Sequence, residues 1–434
     1  MRVSMIGAGY VGLVTGLGLA EIGHEVVCVD LDQKRVSQIN EGIPPFYEDG
    51  LAELLSAHAG NRLTASTDLA EAVRQSDVTI IAVGTPFDGE QIALQQIETA
   101  SSDVGSALAG KDSYHVVVVK STVVPGTTDS VVVPTLERAS GKIAGRDFGV
   151  GMNPEFLREG NAIADFMEPD RIVLGAIDQR SQDVMADLYK SFTDVEMVRT
   201  TPRTAEMIKY AANSLLATLI SFSNEIANLA ATVDVDAMEV MRGVHLDKRF
   251  TPLTDGGERI WPGSITYLEP GCGFGGSCFP KDVRSLIAFG EQHQAPMPLL
   301  QSVIEINEAQ PGRMLDLLSR HFSSIDGTPV TVLGMAFKPG TDDIRESPAL
   351  IVTDELLARG AKVTVFDPVA HKPVEDRYGD RIRFADDLED AISGAEAILL
   401  MTRWTEFERL PSLLRTREPQ PLVVDGRRLL DPDS

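Results

Sequence analysis

The tightest constraint on the fold lies in the first thirty residues. Val3–Ile6 is a short apolar run suited to a strand. Gly7-Ala8-Gly9-Tyr10-Val11-Gly12 follows, a helical stretch runs to Glu21, and a second strand, Glu25–Val29, ends on Asp30. A lone G-x-G-x-x-G is weak evidence. Between a strand and a helix, with an acid 18 residues past Gly12, it specifies a dinucleotide-binding βαβ unit. The glycines allow a tight turn and bring a pyrophosphate close to the helix N-terminus. Asp30 is expected to accept from a ribose 2′-hydroxyl and to repel a 2′-phosphate, which favours NAD over NADP.

Further βα units follow. Val78–Val83 runs into Gly84-Thr85-Pro86, and Val116–Val119 runs into Lys120-Ser121-Thr122. Both are continuous apolar runs, as buried parallel strands require. Ligands of such sheets lie beyond the carboxyl ends of the strands. That places Thr85 and Thr122 near the cofactor, with a helix cap as the competing role for each. The pattern returns late in the chain. Residues 66–86 and 383–404 share an acidic cap, a short helix, a turn and an apolar strand, and the first strand and glycine turn are echoed by VTVLGMAFKPG. The fold class expected is α/β, with two Rossmann-type parallel sheets. In the second unit Lys338 and Arg345 flank the glycine turn, where side chains could reach a diphosphate or simply form a solvated basic loop.

A length of 434 residues allows about three domains of ~150 residues. The net charge of −25 argues against nucleic acid or an anionic membrane as partner. No apolar run reaches the ~18 residues that a membrane span needs, and the N-terminus reads as a strand rather than a signal peptide. Three cysteines, Cys28, Cys272 and Cys278, make no disulfide framework and suggest a reducing, cytoplasmic setting. Cys272 and Cys278, with five residues between them and no nearby histidine, are poorly spaced for zinc, so no metal is expected.

Between the two sheets a helical stretch is expected over about 203–232. Lys209, Asn213, Ile220 and Asn224 fall on one face of it. Lys209 either snorkels to water or joins Asn213 in presenting a cation and an amide to a substrate. Leu215, Leu216, Leu219 and Ile220 suggest a buried helix, or one at a subunit interface. Cys278 sits in the glycine-rich stretch GFGGSCFPKD at 273–282. It is either an inert small thiol or a nucleophile. An aldehyde gives up hydride only after something adds to its carbonyl, and a thiolate does this well. An NAD site with a poised cysteine therefore points to oxidation at the aldehyde level, with Lys281 as a cation favouring the thiolate. A two-electron hydroxyacid dehydrogenase and a non-catalytic NAD sensor are the competing readings.

The motifs GAGYVG at 7–12, VGTP at 83–86, KSTVVPGT at 120–127, NPEFLREG at 153–160, AEMIKYAANSLLA at 205–217, GFGGSCFPKD at 273–282 and FKPGTDDIRESP at 337–348 occur in order over nearly the whole chain. With them the sequence resembles the UDP-glucose/GDP-mannose dehydrogenase family. The resemblance implies oxidation of a nucleotide-sugar C6 alcohol to the carboxylate in two NAD-dependent steps. UDP-glucose fits the motifs best, with GDP-mannose and dTDP-glucose as alternatives. It implies an NAD-binding domain over 1–200, a central helical dimerisation domain over 201–312 that carries the cysteine loop, and a nucleotide-sugar-binding domain over 313–434. The catalytic residues implied are Cys278 as nucleophile, Lys209 for the oxyanion, Asn213 to hold the sugar, Asp282 to place a water or proton, and Glu155 with Thr122 to activate water. NAD contacts implied are Gly7, Gly9, Tyr10, Val11, Gly12, Asp30, Arg35, Thr85, Thr122, Lys281 and Arg345. Substrate contacts implied are Glu155, Phe156, Leu157, Glu159, Lys209, Asn213, Arg249, Tyr267, Leu268, Gly271, Gly275 and Lys338. One departure stands out: about a dozen extra residues around 251–263 follow Arg249. The expected assembly is a homodimer through the central helix.

Overall fold

A computed structural model describes residues 1–431. Backbone packing divides the chain into two units, the first Met1–Ala212 and the second beginning at Asn213. The first is built on eight strands: β1 (Arg2–Ile6), β2 (Glu25–Val29), β3 (Leu63–Ser66), β4 (Val78–Ile81), β5 (Val116–Val119), β6 (Gly149–Met152), β7 (Ile172–Ala176) and β8 (Met197–Thr200). They lie in the order β3-β2-β1-β4-β5-β6-β7-β8, and only the β6–β7 pair is antiparallel. The valine run of β5 shows why both faces must be covered. Val116 and Val118 pack on one side with Leu13 and Leu17 of the helix Tyr10–Glu21. Val117 and Val119 pack on the other with Ile97 and Val104 of the helix Gln95–Ala109. A strand with period-two side chains, buried on both faces, has to be apolar throughout. The expected strand 78–83 stops at Ile81, because the next residues run beside the first glycine loop; a Cβ on Gly7 would lie 2.7 Å from the Ala82 carbonyl oxygen.

The second unit holds a five-stranded parallel sheet of β9 (Pro329–Leu333), β10 (Lys362–Phe366), β11 (Arg383–Phe384), β12 (Ala397–Leu400) and β13 (Leu422–Asp425). Its order, β11-β10-β9-β12-β13, repeats the first five positions of the other sheet. The internal echo in the sequence is therefore a repeat of topology, two Rossmann-type sheets in one chain. Ahead of this sheet lie the helices Ala237–His245, Phe279–Gln292 and Pro298–Ser319. The extra residues form a small antiparallel turn, bridged at Leu253 and Arg259 and tied by the Arg259 guanidinium to the Leu246 and Thr251 carbonyls.

One 29-residue helix, Pro202–Ala230, begins in the first unit and ends in the second. The expectation that it is buried holds for only one face. Lys209, Asn213, Ser221 and Asn224 are buried, whereas Met207, Leu215, Phe222 and Leu229 are exposed, Leu215 by 60%. The exposed set recurs at steps of eight, seven and seven, which is one stripe of a helix. No helix among the described residues is long and apolar enough to cross a membrane.

Candidate active site

The dinucleotide loop has the geometry its sequence promised. Gly7 has φ of +96°, and a Cβ on Gly12 would lie 1.8 Å from the Gly7 carbonyl oxygen, so both positions exclude a side chain. Gly9 differs: a Cβ there would meet nothing within 4 Å. Its bareness answers to no protein neighbour, which fits the close backbone approach that a pyrophosphate needs. The helix that starts at Tyr10 has neither a side-chain cap nor an acid in its first turn, leaving its N–H groups suited to an anion. Asp30 accepts from the Ala8 N–H at 2.9 Å, the Asp32 N–H at 2.9 Å and the Arg35 guanidinium at 2.9 Å. Burial pushes its carboxyl up, but these donors outweigh it and hold Asp30 below the usual range. Three of about four acceptor sites are filled, leaving about one for a ribose hydroxyl. This loop fits NAD. Arg35 is engaged by Asp30. The Thr85 hydroxyl donates to the Thr122 carbonyl at 2.7 Å. Neither threonine stands at a helix start, so the capping role is excluded for both.

Beyond the carboxyl ends of β5 and β6 lies a buried charged cluster. Lys209 Nζ donates to Glu155 Oε1 at 3.0 Å, with the two side chains 4% and 6% exposed. Lys209 therefore does not snorkel. Glu155 Oε2 accepts the Leu157 N–H at 2.7 Å. Burial alone would raise the Glu155 carboxyl; the Lys209 ammonium, the Leu157 N–H and Lys120 together hold it below its ordinary value. Phe156 places its ring under two cations, 3.9 Å from Arg171 and 5.4 Å from Lys209.

Two partners of this cluster were missed in the sequence. Lys120 donates to Asn153 Oδ1 at 3.0 Å, and Tyr189 donates to the same oxygen at 2.6 Å. Burial brings the Lys120 ammonium down to about 8, against the pull of Glu155. Glu206, one turn before Lys209, accepts from the Gly126 N–H and from both the N–H and hydroxyl of Thr128. It thereby ties the loop that follows Thr122 to the long helix. The only sequence signal for either was a charge inside a quoted motif, and a charge does not announce its partner.

In the second unit Asn213 Nδ2 donates to Asp282 Oδ2 at 2.6 Å, and the Lys281 ammonium bonds Asp282 Oδ1. Asp282 is buried in the first turn of Phe279–Gln292, and Cys278 is that helix's N-cap residue. Since Lys281 is paired with Asp282, the helix N-terminus is the clearer source of positive field at the sulfur. Cys28 and Cys272 are fully buried, and burial pushes both thiols up, Cys28 to about 12; Cys278 is only half-buried. Two of the glycines before it are closely packed. A Cβ on Gly275 would lie 2.2 Å from the Glu346 carbonyl oxygen, and one on Gly276 2.7 Å from the Phe337 ring. The cysteine loop and the 337–348 segment are thus packed backbone against backbone. Gly271 is held by Asn224 Oδ1 on its N–H and by Gln310 on its carbonyl.

Other expected substrate residues sit as follows. Tyr267 has its ring 6.2 Å from that of Phe279. The Leu268 side chain is in an apolar core with Met241 and Ile265, which leaves only its backbone to meet a ligand. Arg249 is 85% exposed and forked onto Asp247, and Arg345 is forked onto Asp343. Lys338 lies 5.9 Å from the Phe337 ring centroid. Leu157 packs at the edge of the core under β1, and Glu159 acts electrostatically on Tyr10. Val11 opens the helix beside Tyr10. Lys209 and Asn213 are one turn apart on one helix, each engaged within its own unit. Among the described residues no group of three or more His, Cys, Asp or Glu side chains could hold a metal.

Three family descriptions match the chain: the UDP-glucose/GDP-mannose dehydrogenase family NAD binding domain over 1–193, its central domain over 203–309, and its UDP binding domain over 331–432. The UDP-glucose 6-dehydrogenase AglM of Haloferax volcanii is 43% identical, over 99% of this chain and 97% of its own length. A GDP-mannose 6-dehydrogenase of Pseudomonas putida is 39% identical, over 94% of this chain and 93% of its own. The solved structure of a UDP-glucose dehydrogenase from Pyrobaculum islandicum superposes with a TM-score of 0.89 at 39% identity, covering 99% of this chain and 96% of that one.

Proposed function

The chain belongs to the UDP-glucose/GDP-mannose dehydrogenase family and takes NAD as cofactor, and from that premise we propose that it oxidises the C6 alcohol of UDP-glucose to the carboxylate through a covalent intermediate on Cys278. The observation that carries the reading is the placement of Cys278: the one cysteine not fully buried, at a helix N-terminus, four residues before a buried Asp282. NAD, when bound, supplies the acceptor for both hydrides. The residues of the chain do the rest. The Cys278 sulfur adds to the aldehyde carbon, forming a C–S bond while the carbonyl oxygen gains charge. The Lys209 ammonium stabilises that oxygen, as a donor worth about 3 kcal/mol does in comparable sites. At the thioester level Glu155 takes a proton from water, the water oxygen bonds the acyl carbon, and the C–S bond breaks to return the thiolate. Glu155 is held as the carboxylate, the form with a lone pair for that proton, by the Lys209 ammonium and the Leu157 N–H. Asn213 and Lys281 hold Asp282 in place to position the sugar or a water.

UDP is favoured as the nucleotide because residues 331–432 match a domain described as UDP binding. GDP-mannose is the second reading, since relatives named for it match over most of the chain. NADH formation measured side by side with UDP-glucose, GDP-mannose and dTDP-glucose separates these. UDP-glucose should be turned over fastest, with two NADH per sugar. Cys278→Ala should form no uronate. Uronate made by that variant at the wild-type rate would overturn the reading. The exposed stripe Met207, Leu215, Phe222 and Leu229 favours a homodimer formed through the long helix.

A further inference from the structure

The geometry points to Glu48 as a positioning residue that couples cofactor binding to nucleotide-sugar binding, through one carboxylate shared by the dinucleotide loop and the end of the substrate segment. The inference rests on the function proposed above and adds a residue that the motifs do not single out.

Glu48 lies between the helices Gln33–Asn40 and Leu51–His58 and is 6% exposed. A buried carboxylate needs its lone pairs filled. Here they are filled from two places far apart in sequence. Oε2 accepts from the Tyr10 hydroxyl, and also from the Gly160 N–H at 2.6 Å; Oε1 accepts from the Ala162 N–H at 2.7 Å. Tyr10 is the residue after Gly9, on the first turn of the helix that faces the cofactor. Gly160 closes the stretch from Glu155 to Glu159 and has φ of +80°. Ala162 opens the helix Ala162–Met167, whose own N-cap residue Asn161 makes no side-chain cap bond. Glu48 does that work from a distance.

Tyr10 is gripped a second time by the same loop, because the Phe46 ring lies 5.1 Å from its own. Its phenol is pushed far above the ordinary range by burial, then by Glu48 and by Glu159. The hydroxyl therefore stays a donor at any working pH, and Glu48 is its acceptor. The far end of the substrate segment is pinned separately, by the bonds of Asn153 to Lys120, Tyr189 and the Val173 carbonyl. A shift of Tyr10 when the cofactor enters must then either carry Gly160 and Ala162 with it or leave a buried carboxylate short of a donor. The second outcome is costly, so the first is favoured. All of these contacts lie within the first unit.

The test is calorimetric titration of UDP-glucose with and without saturating NADH, and of NADH with and without UDP-glucose. NADH avoids turnover. In the wild type each ligand should change the affinity of the other by the same factor, in the range of about 5 to 150 typical of coupled sites. Glu48→Gln, which replaces one acceptor oxygen with a donor, should bring the factor below about 2. Tyr10→Phe, which keeps the ring on Phe46 and removes only the hydroxyl, should do the same and decides the matter if the first variant does not fold. The double variant should add nothing to either single one. A wild-type factor of one, or a factor kept by Tyr10→Phe, overturns the proposal. Intact binding with unchanged coupling refutes this inference alone, whereas a wild type that binds no nucleotide sugar refutes the proposed function and this inference with it.

Discussion

Replacing Lys209 with methionine removes one charge of the Lys209–Glu155 pair while keeping most of the apolar stem. The two side chains are almost wholly buried and 3.0 Å apart, so Glu155 cannot turn to water. Removing one partner of a buried pair costs about 3–5 kcal/mol, because the other charge is left uncompensated. Glu155 keeps the Leu157 N–H and the field of Lys120, which argues for the lower end, about 3 kcal/mol. With an m-value of about 3 kcal/mol/M, the urea midpoint should fall by about 1 M. The loss should also depend on pH. In the wild type the Glu155 carboxyl is held below its unfolded value. Its contribution is present above about pH 4.3 and is lost as the pH falls through the folded value. Without Lys209, burial is no longer outweighed and the folded carboxyl titrates above its unfolded value. The variant then loses stability as the pH rises past about 4.3. The gap between wild type and Lys209→Met should therefore widen from pH 4.5 to pH 7.5. Adding Glu155→Gln should recover part of it, since no charge remains to be stranded. Urea unfolding of the wild type, Lys209→Met, Glu155→Gln and the double variant at both pH values reads this out. An equal gap at both pH values, or strict additivity in the cycle, would refute the reasoning.

Gly12→Ala should weaken NADH binding at least tenfold in a fluorescence titration, because its Cβ would collide with the Gly7 carbonyl oxygen at 1.8 Å and force the loop to move. His115 is buried and bonded to Thr79 and the Ser76 carbonyl, and burial brings its imidazole down to about 3. Its folded value lies below its unfolded one, so its contribution is full above about pH 6.5 and is lost progressively toward pH 3; His115→Gln should flatten the fall in urea midpoint between pH 6.5 and 4. Leu215→Glu, on the exposed stripe of the long helix, should give a monomer in sedimentation velocity with an unchanged circular dichroism spectrum; a retained dimer would place the interface elsewhere.

Much of the fold was legible because it is written in neighbouring residues. The strand–glycine–helix unit at the N-terminus, the apolar runs of β4 and β5 and the face shared by Lys209, Asn213 and Asn224 all follow from periodicity and from the φ values glycine permits. The repeat of the first unit's strand order in the second was visible as an echo of pattern. Other features were not legible, for one shared reason. Leu215 was expected on a buried helix or at a subunit interface, and in the single chain it faces outward; the Leu268 side chain packs inward, so only the backbone there is open to a ligand. The glycines at 275 and 276 give no sign in the sequence of the neighbours they admit, Glu346 and Phe337. A helix pattern shows which residues share a face. It does not show which face meets protein.

The chain's own order of residues determined two Rossmann-type sheets, the cofactor loop, and the residue types available for chemistry, since each of these depends on contacts within a few turns of chain. Only the tertiary structure decided which charges meet. Glu155 found Lys209, Lys120 found Asn153, and Glu48 found Tyr10 and Gly160, across separations of 33 to 112 residues. Parallel strands joined by crossovers bring such distant side chains to the same carboxyl ends. Burial then makes each partnership obligatory, because a charge cut off from water must be compensated by whatever the fold places beside it.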